Sequence, residues 1–415
     1  MEQAMTGIRD TERGFRTLAT IGYFAAFVAL GLAYASLGPT LTDLAVAVGS
    51  NLTQISYLFT ARGLGYLAGS LVGGRLYDMM RGHPVMAGVL LMTSLLMAAI
   101  PMATMLWMLI VMLFLIGMSE GAIDVGGNTL LVWVHKDKVA PYMNAMHFFF
   151  GVGAFISPII IAQVMLMGGG LRWSYWALAL LALPVSVFVL RLKSPQPNGS
   201  PEAAAGASTE PASGLAQGVA ALGRDLHLVA LIAIFFFLYV GAESGFGGWI
   251  ATYAMATGLG DATTAAYLTS AFWGALTLGR LLSIPIAARF TPRQVLFGDL
   301  VGCLVSVGVL LLWPGVAIAT WIGTFGAGFA MASIFPTTLS LAERHMTISG
   351  TITAFFFVGG SLGGMALPWL IGQLFERVGP QVTPVTIMGA VALSCAIFLL
   401  MGLHTRRGRG GVIGR

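Results

Sequence analysis

The stretch Gly117-Met-Ser-Glu120-Gly-Ala-Ile-Asp124-Val-Gly-Gly-Asn128 lies inside an apolar run from about Met105 to Val134. A run of that length can cross a bilayer as a helix. In a helix, Glu120, Asp124 and Asn128 recur at spacings of four and share one face, spread over roughly 12 Å. Ionisable groups in hydrocarbon are costly, so they normally face a cavity or a partner and mark a path for substrate or ion. The plainer alternative is a buried polar cluster that only ties helices together. The first reading makes this span one wall of a transport site.

Composition agrees with a membrane-embedded chain. The 415 residues are 57% hydrophobic and 9% charged, with a mean hydropathy of +0.87. Soluble domains carry far more charge, about 25%. The net charge of +5 does not point to nucleic acid, because the basic residues are strung between apolar runs and form no stripe. Cys303 and Cys395 both lie in apolar runs, so neither a disulfide framework nor a metal site is expected. The polar start, Met1 to Arg16, precedes a run of spanning length, and no cleavable signal is expected.

Twelve apolar runs lie near residues 17–39, 52–76, 84–103, 105–134, 143–167, 173–192, 226–257, 264–288, 294–313, 315–340, 350–374 and 384–403. With both termini cytoplasmic, 17 of the 21 Lys and Arg fall inside, which fits the positive-inside rule. Residues 194–218 (SPQPNGSPEAAAGASTEPASGLAQG) are rich in Pro, Ala, Ser and Gly and read as a flexible linker. The expected organisation is a six-helix bundle over 1–193, the linker over 194–218 and a second six-helix bundle over 219–415. The halves echo each other at an offset of 210 residues: Gly31 with Gly241, Gly38 with Gly248, Tyr57-Leu58 with Tyr267-Leu268, Gly69 with Gly279, Pro158 with Pro368. Repeats of this kind place a substrate site at their interface, near the bilayer midplane.

Within the spans, the acids are Glu120, Asp124, Glu243 and Asp299, and the bases are Arg62 and Arg280. Arg62 sits about 15 Å deep by helical rise and needs a carboxylate or a wet cavity. Glu120 is its best-placed partner by depth, with Asp124 next. Asp299, near the end of its run, reads as structural. Glu243 stands in Tyr239-Val-Gly-Ala-Glu243-Ser-Gly-Phe-Gly-Gly-Trp249, an environment suited to a group that exchanges a proton or is neutralised by a bound cation. Asn144 and His147 are one turn apart on the fifth span and serve as an inner polar gate or a brace. The histidines show no metal-ligand spacing. Trp249 and Trp273 adjoin Gly-rich or polar stretches, and such flat faces beside hydroxyl-binding groups suit a sugar ring. Asn128, Asn144, His147, Glu243, Trp249 and Trp273 are therefore the candidate substrate contacts. Arg62, Glu120 and Asp124 are the candidates for cation coupling. In the loop Gly73-Gly-Arg75-Leu-Tyr-Asp78-Met-Met-Arg81-Gly-His83, an acid among basic residues can latch the bundles through charge pairs and helix-end dipoles, so Arg75, Asp78 and Arg81 form a candidate conformational latch. No phosphate-binding loop is present, so energy is expected from a gradient and the chain is not expected to be an enzyme.

Twelve spans in two sets of six, with that loop, resemble the major facilitator superfamily. The loop is similar to its Gly-x-x-x-Asp-x-x-x-Arg signature, with His83 where a basic residue is usual. Within the superfamily, five stretches resemble the fucose-permease group and most closely its sodium-dependent glucose transporter 1 branch. They are Asp124-Val-Gly-Gly-Asn128, Asn144-Ala-Met-His147-Phe-Phe-Phe-Gly-Val-Gly-Ala, Tyr239 through Trp249-Ile, Phe272-Trp273-Gly-Ala-Leu-Thr-Leu-Gly279-Arg280 and Met331-Ala-Ser-Ile-Phe-Pro336. The resemblance implies an all-α membrane protein of twelve transmembrane helices in two pseudo-symmetric six-helix bundles. It also implies uptake of a sugar, expected to be a monosaccharide, coupled to an inward cation (H+ or Na+) through the acid of the fourth helix. No other cofactor, no metal and no nucleic-acid partner are expected. The chain is expected to act as a monomer in the bilayer of the cell membrane, plasma or inner. Two departures bear on this. Residues 17–39 lack the acid that fucose permeases typically carry on the first helix, which leaves the coupling ion open. The fifth helix reads Gly151-Val-Gly153 with Pro158 alone, unlike the drug-antiporter signature. The alternatives are a transporter of a drug or an organic anion on the same fold, with Arg62 as counter-charge, and a membrane protein that handles lipid or moves no solute.

Overall fold

The computed structural model describes the backbone at residues 2–195, 212–346 and 350–410, and side chains at 14–195, 226–346 and 352–404. The described residues are helical, with no strand among them. The long helices are α1 (Glu2–Ala47), α2 (Tyr57–Met79), α3 (Gly82–Ala99), α4 (Leu106–His135), α5 (Ala140–Leu166), α6 (Gly170–Leu190), α7 (Ala212–Ala256), α8 (Ala262–Arg289), α9 (Pro292–Leu312), α10 (Ala317–Met331), α11 (Gly350–Val378) and α12 (Val382–Gly410). α10 breaks at Ala332 and Ser333 and resumes as Ile334–Glu343. A one-turn helix, Leu52–Ile55, precedes α2. Most of the expected linker, 196–211, lies outside the described residues, as do the side chains of the expected cytoplasmic Arg9, Arg13, Arg406, Arg407 and Arg409. Residues 212–218, expected at the end of that linker, belong instead to α7.

Eleven helices among the described residues are long and apolar enough to cross a membrane. The helix short of that measure is α2, whose glycines and tyrosines, with Arg62, Arg75 and Asp78, dilute its apolar character. Leu71, Leu95, Trp107, Val305 and Leu399 point outward and are exposed, as side chains facing lipid must be. The helix starts follow local chemistry. Asn51 and Gln54 form a reciprocal capping box, as do Thr291 and Gln294, the latter with Pro292 in the first turn.

Small residues set the packing. A Cβ at Gly65 would stand 2.0 Å from the Phe114 carbonyl oxygen, and one at Gly117 would stand 2.0 Å from that of Arg62. α2 and α4 therefore touch backbone to backbone, the close approach that small residues permit between membrane helices. The same contact recurs across the 210-residue offset. A Cβ at Gly31 would meet the Phe150 carbonyl of α5 at 2.1 Å, and one at Gly241 would meet the Gly363 carbonyl of α11 at 2.9 Å. At Gly69 the obstacle is the carbonyl of Met118 in α4 (2.0 Å), and at Gly279 it is the Ala332 methyl (2.6 Å) with the Phe329 carbonyl of α10 (2.8 Å) beside it. Tyr34 and Ser244, themselves 210 residues apart, meet hydroxyl to hydroxyl at 3.3 Å between α1 and α7.

The halves of the chain join through α5 with α8, α1 with α7, and α2 with α11. At the Asn51 end they are hydrogen-bonded shut. The Leu52 N–H donates to Glu376 Oε1 (2.9 Å), and Gln373 Nε2 donates to the Thr53 carbonyl (3.1 Å) and to Ser56 Oγ (3.1 Å). At the opposite end, near Arg81, no hydrogen bond among the described residues crosses between the halves.

Candidate functional site

The backbone contact between α2 and α4 fixes the register that assembles the site. With Gly65 and Gly117 at the crossing, Arg62 faces Glu120, and Tyr66 faces Asp124 one turn along. Arg62 Nε donates to Glu120 Oε2 at 2.8 Å, and Nη2 donates to the other carboxylate oxygen, a bidentate pair. Both groups are buried, Arg62 being 8% and Glu120 2% exposed. Arg62 Nη1 donates to the Tyr34 carbonyl at 2.9 Å, and the guanidinium carbon lies 4.5 Å from the centre of the Tyr34 ring. Every nitrogen of this guanidinium is thus engaged.

Asp124 is half-buried and accepts from the Tyr66 hydroxyl; Asn128 Nδ2 donates to its Oδ1 at 3.0 Å and to its carbonyl at 2.8 Å. α4 thus carries a closed ion pair and, one turn further, a carboxylate held by neutral donors. On α7, Glu243 is half-buried and bonded to the Tyr239 hydroxyl, which also lies 3.0 Å from the Met331 carbonyl oxygen. Tyr34 bridges the two groups of residues. It touches Arg62 on one side and Ser244, the neighbour of Glu243, on the other. Its ring packs edge-on against Trp273 (5.4 Å between centres) and Phe150 (5.6 Å).

The remaining sequence candidates fall in several places. Trp273 is buried, and its indole N–H has no partner, leaving a donor unused beside Tyr34. His147 and Asn144 are exposed on α5, with His147 edge-on to Phe27. Trp249 was expected to face a substrate but is fully enclosed in this conformation. Its N–H donates to the Pro368 carbonyl (2.9 Å), and its ring stacks on Phe375 with Phe59 tilted against it. The cause is the closed Asn51 end, which folds α7 against α11. Arg75, Asp78 and Arg81 are all exposed, and no ion pair joins Asp78 to either arginine. His83 is buried, its Nε2 at 2.8 Å from the Tyr23 hydroxyl and its Nδ1 at 3.3 Å from the Leu192 carbonyl. It braces α1 and the end of α6 and does not extend the loop's charge. Asp299 of α9 accepts from Ser333 Oγ at 2.6 Å, at the break of α10. No group of three or more His, Cys, Asp or Glu able to hold a metal occurs among the described residues.

Sequence reasoning passed over the three tyrosines that hold these groups. Tyr66 lies four residues after Arg62, and Tyr239 four before Glu243, so the helical spacing was there to read. Tyr34 carried no local signal, since its partners come from four other helices.

The family model described as Major Facilitator Superfamily matches residues 22–368. The chain belongs to the major facilitator superfamily. It is 34% identical to the human (Homo sapiens) sodium-dependent glucose transporter 1 over 91% of this chain and 77% of that one. It is 31% identical to the sodium-dependent glucose transporter 1A of Mus musculus over 91% and 95%. The human major facilitator superfamily domain-containing protein 4A is 28% identical over 92% and 91%. Among solved structures, this superfamily member superposes on the D-xylose–proton symporter with a TM-score of 0.71 at 12% identity, covering 92% of this chain and 97% of the other. A mutant of the nucleoside transporter NupG gives 0.73 at 15% identity, covering 93% and 99%. At such identities these likenesses speak for the fold alone.

Proposed function

We propose that the protein is a secondary transporter that takes up a sugar, a monosaccharide, together with a cation, by alternating access. The carrying observation is the buried Arg62–Glu120 pair with Asp124, Tyr66 and Asn128 beside it. Such a polar cluster deep in an apolar bundle is costly unless cargo, ion or water visits it. The similarity to proteins named sodium-dependent glucose transporters supports the substrate class. On this reading, twelve helices cross the cell membrane, with both termini cytoplasmic. The bundles 1–193 and 219–415, tied by the linker 194–218, rock about the midplane. The closed Asn51 end is then the outer gate, and the conformation is inward-facing. Arg75, Asp78 and Arg81 latch the inner gate when it closes. Asn128, Asn144, His147 and Trp273 contact the sugar, Trp273 through its unused N–H, and Trp249 joins them only when the outer gate opens. Sugar and cation together shield the carboxylates and allow occlusion. The sugar leaves chemically unchanged, no cofactor beyond the ion is needed, and a monomer suffices.

An organic anion held by Arg62 is the rival cargo. It is disfavoured because each guanidinium nitrogen already has a partner. The test is counterflow in proteoliposomes with labelled sugars and labelled carboxylates side by side. Sugar exchange supports the reading. Anion exchange that vanishes in Arg62→Ala, with no sugar moving, overturns it.

A further inference from the structure

A phenol has one proton to donate. The Tyr239 hydroxyl nevertheless lies within hydrogen-bond distance of two acceptors, the Glu243 carboxyl and the Met331 carbonyl oxygen at 3.0 Å. Met331 is the last residue of α10, where the helix breaks, and terminal helical carbonyls lack an intrahelical partner. If Glu243 is ionised, it takes the phenol's proton and Met331 goes without. If Glu243 is protonated, the carboxyl donates to the phenol oxygen and the phenol donates to Met331, so both links are made at once. One added proton completes a chain from α7 to the break in α10.

The other side of the break is already tied, with Ser333 donating to Asp299 of α9. The groups that act electrostatically on Glu243 are Tyr239 of α7 and Arg280 of α8; Tyr34 of α1 and Cys303 of α9 also face it. Arg280 is half-buried and has no ion pair among the described residues. It is the counter-charge that balances an ionised Glu243 still bonded to Tyr239.

We infer that Glu243 is the proton-carrying group of this transporter. Protonated, it links Tyr239 to the end of α10. When its proton passes to water on the open side, the carboxylate keeps the Tyr239 hydroxyl as its own donor, with Arg280 balancing its charge, and Met331 is released, freeing the two parts of α10 to move. Broken helices whose free backbone groups meet an ion are a recurring device for coupling in transporters. The fourth-helix acids are less suited to carrying the proton, because Glu120 is locked to Arg62 and Asp124 already has two neutral donors. That the proton drives a sugar rests on the function proposed above; that Glu243 binds it does not.

The experiment has two arms, on the full-length protein. The first is the infrared difference spectrum of purified protein between acid and alkaline pH. A protonated-carboxyl carbonyl band is expected in the wild type, absent in Glu243→Gln and shifted in Tyr239→Phe, whose carboxyl has lost its phenol partner. A band unchanged in both variants overturns the inference. The second arm is sugar accumulation driven by an imposed proton gradient, divided by each variant's own counterflow rate. This ratio should fall about tenfold or more in Glu243→Gln, within the usual range of coupling between sites, while Arg280→Lys retains part of it. An undiminished ratio in Glu243→Gln, or accumulation that follows a sodium gradient alone, overturns the assignment. Wild-type protein that moves no sugar would instead sink the function proposed above and leave the infrared result to decide on Glu243.

Discussion

Arg62 and Glu120 illustrate how little freedom a buried charge has. Removing one partner strands the other, a loss of about 3–5 kcal/mol for a buried pair. Glu120→Gln and Arg62→Ala should therefore each lower the melting temperature in detergent sharply, and the double neutral variant should recover part of the loss. Equal melting of all four proteins would mean that the pair contributes nothing. Asp124→Asn is a different case, because its neighbours are neutral donors. It should lower gradient-driven accumulation while leaving some exchange, because Asp124 shapes the polar site and does not itself carry the proton; normal accumulation would remove Asp124 from the coupling machinery. The sequence made the acids and bases visible because charge inside an apolar run is rare. It did not show which neutral groups complete them. Tyr34 offers Arg62 only a backbone carbonyl and a ring face, and neither leaves a mark in the sequence.

At the scale of the helix, α2 and α4 are held in register by Gly65, Gly69, Gly117 and Gly121, each facing a backbone atom of the other helix. Gly117→Ala would place a methyl 2.0 Å from the Arg62 carbonyl and push the helices apart. Overpacking of this kind costs about 1–3 kcal/mol. Here it should also weaken transport more than Gly88→Ala, whose Cβ would meet nothing within 4 Å. Equal activity and melting in the two variants would contradict the register argument. The apolar runs were legible by length, but two edges were not. The run at 52–76 hides a capped turn before α2, and the run at 315–340 hides the break in α10. Both irregularities are fixed by tertiary bonds, to Gln373 and Glu376 in one case and to Tyr239 and Asp299 in the other.

For the molecule as a whole, the 210-residue echo in the sequence reappears as equivalent close contacts in the two halves and as the meeting of Tyr34 with Ser244. The state of the gates had no such trace, because it depends on which of two sets of contacts is made. Cysteines placed at Thr53 and Gln373, in a background with Cys303 and Cys395 replaced, should cross-link and arrest transport, with activity returning on reduction. Transport that continues at the same rate with the bridge formed would mean that this end need not open. The central claim, that a buried charge cluster couples sugar movement to a cation, meets its most direct test in proteoliposomes. There, accumulation of labelled monosaccharides is followed with a proton gradient and a sodium gradient imposed separately. The account predicts accumulation above equilibrium under the inward proton gradient, collapsing when a protonophore is added. Failure of every sugar to accumulate under either gradient would contradict it.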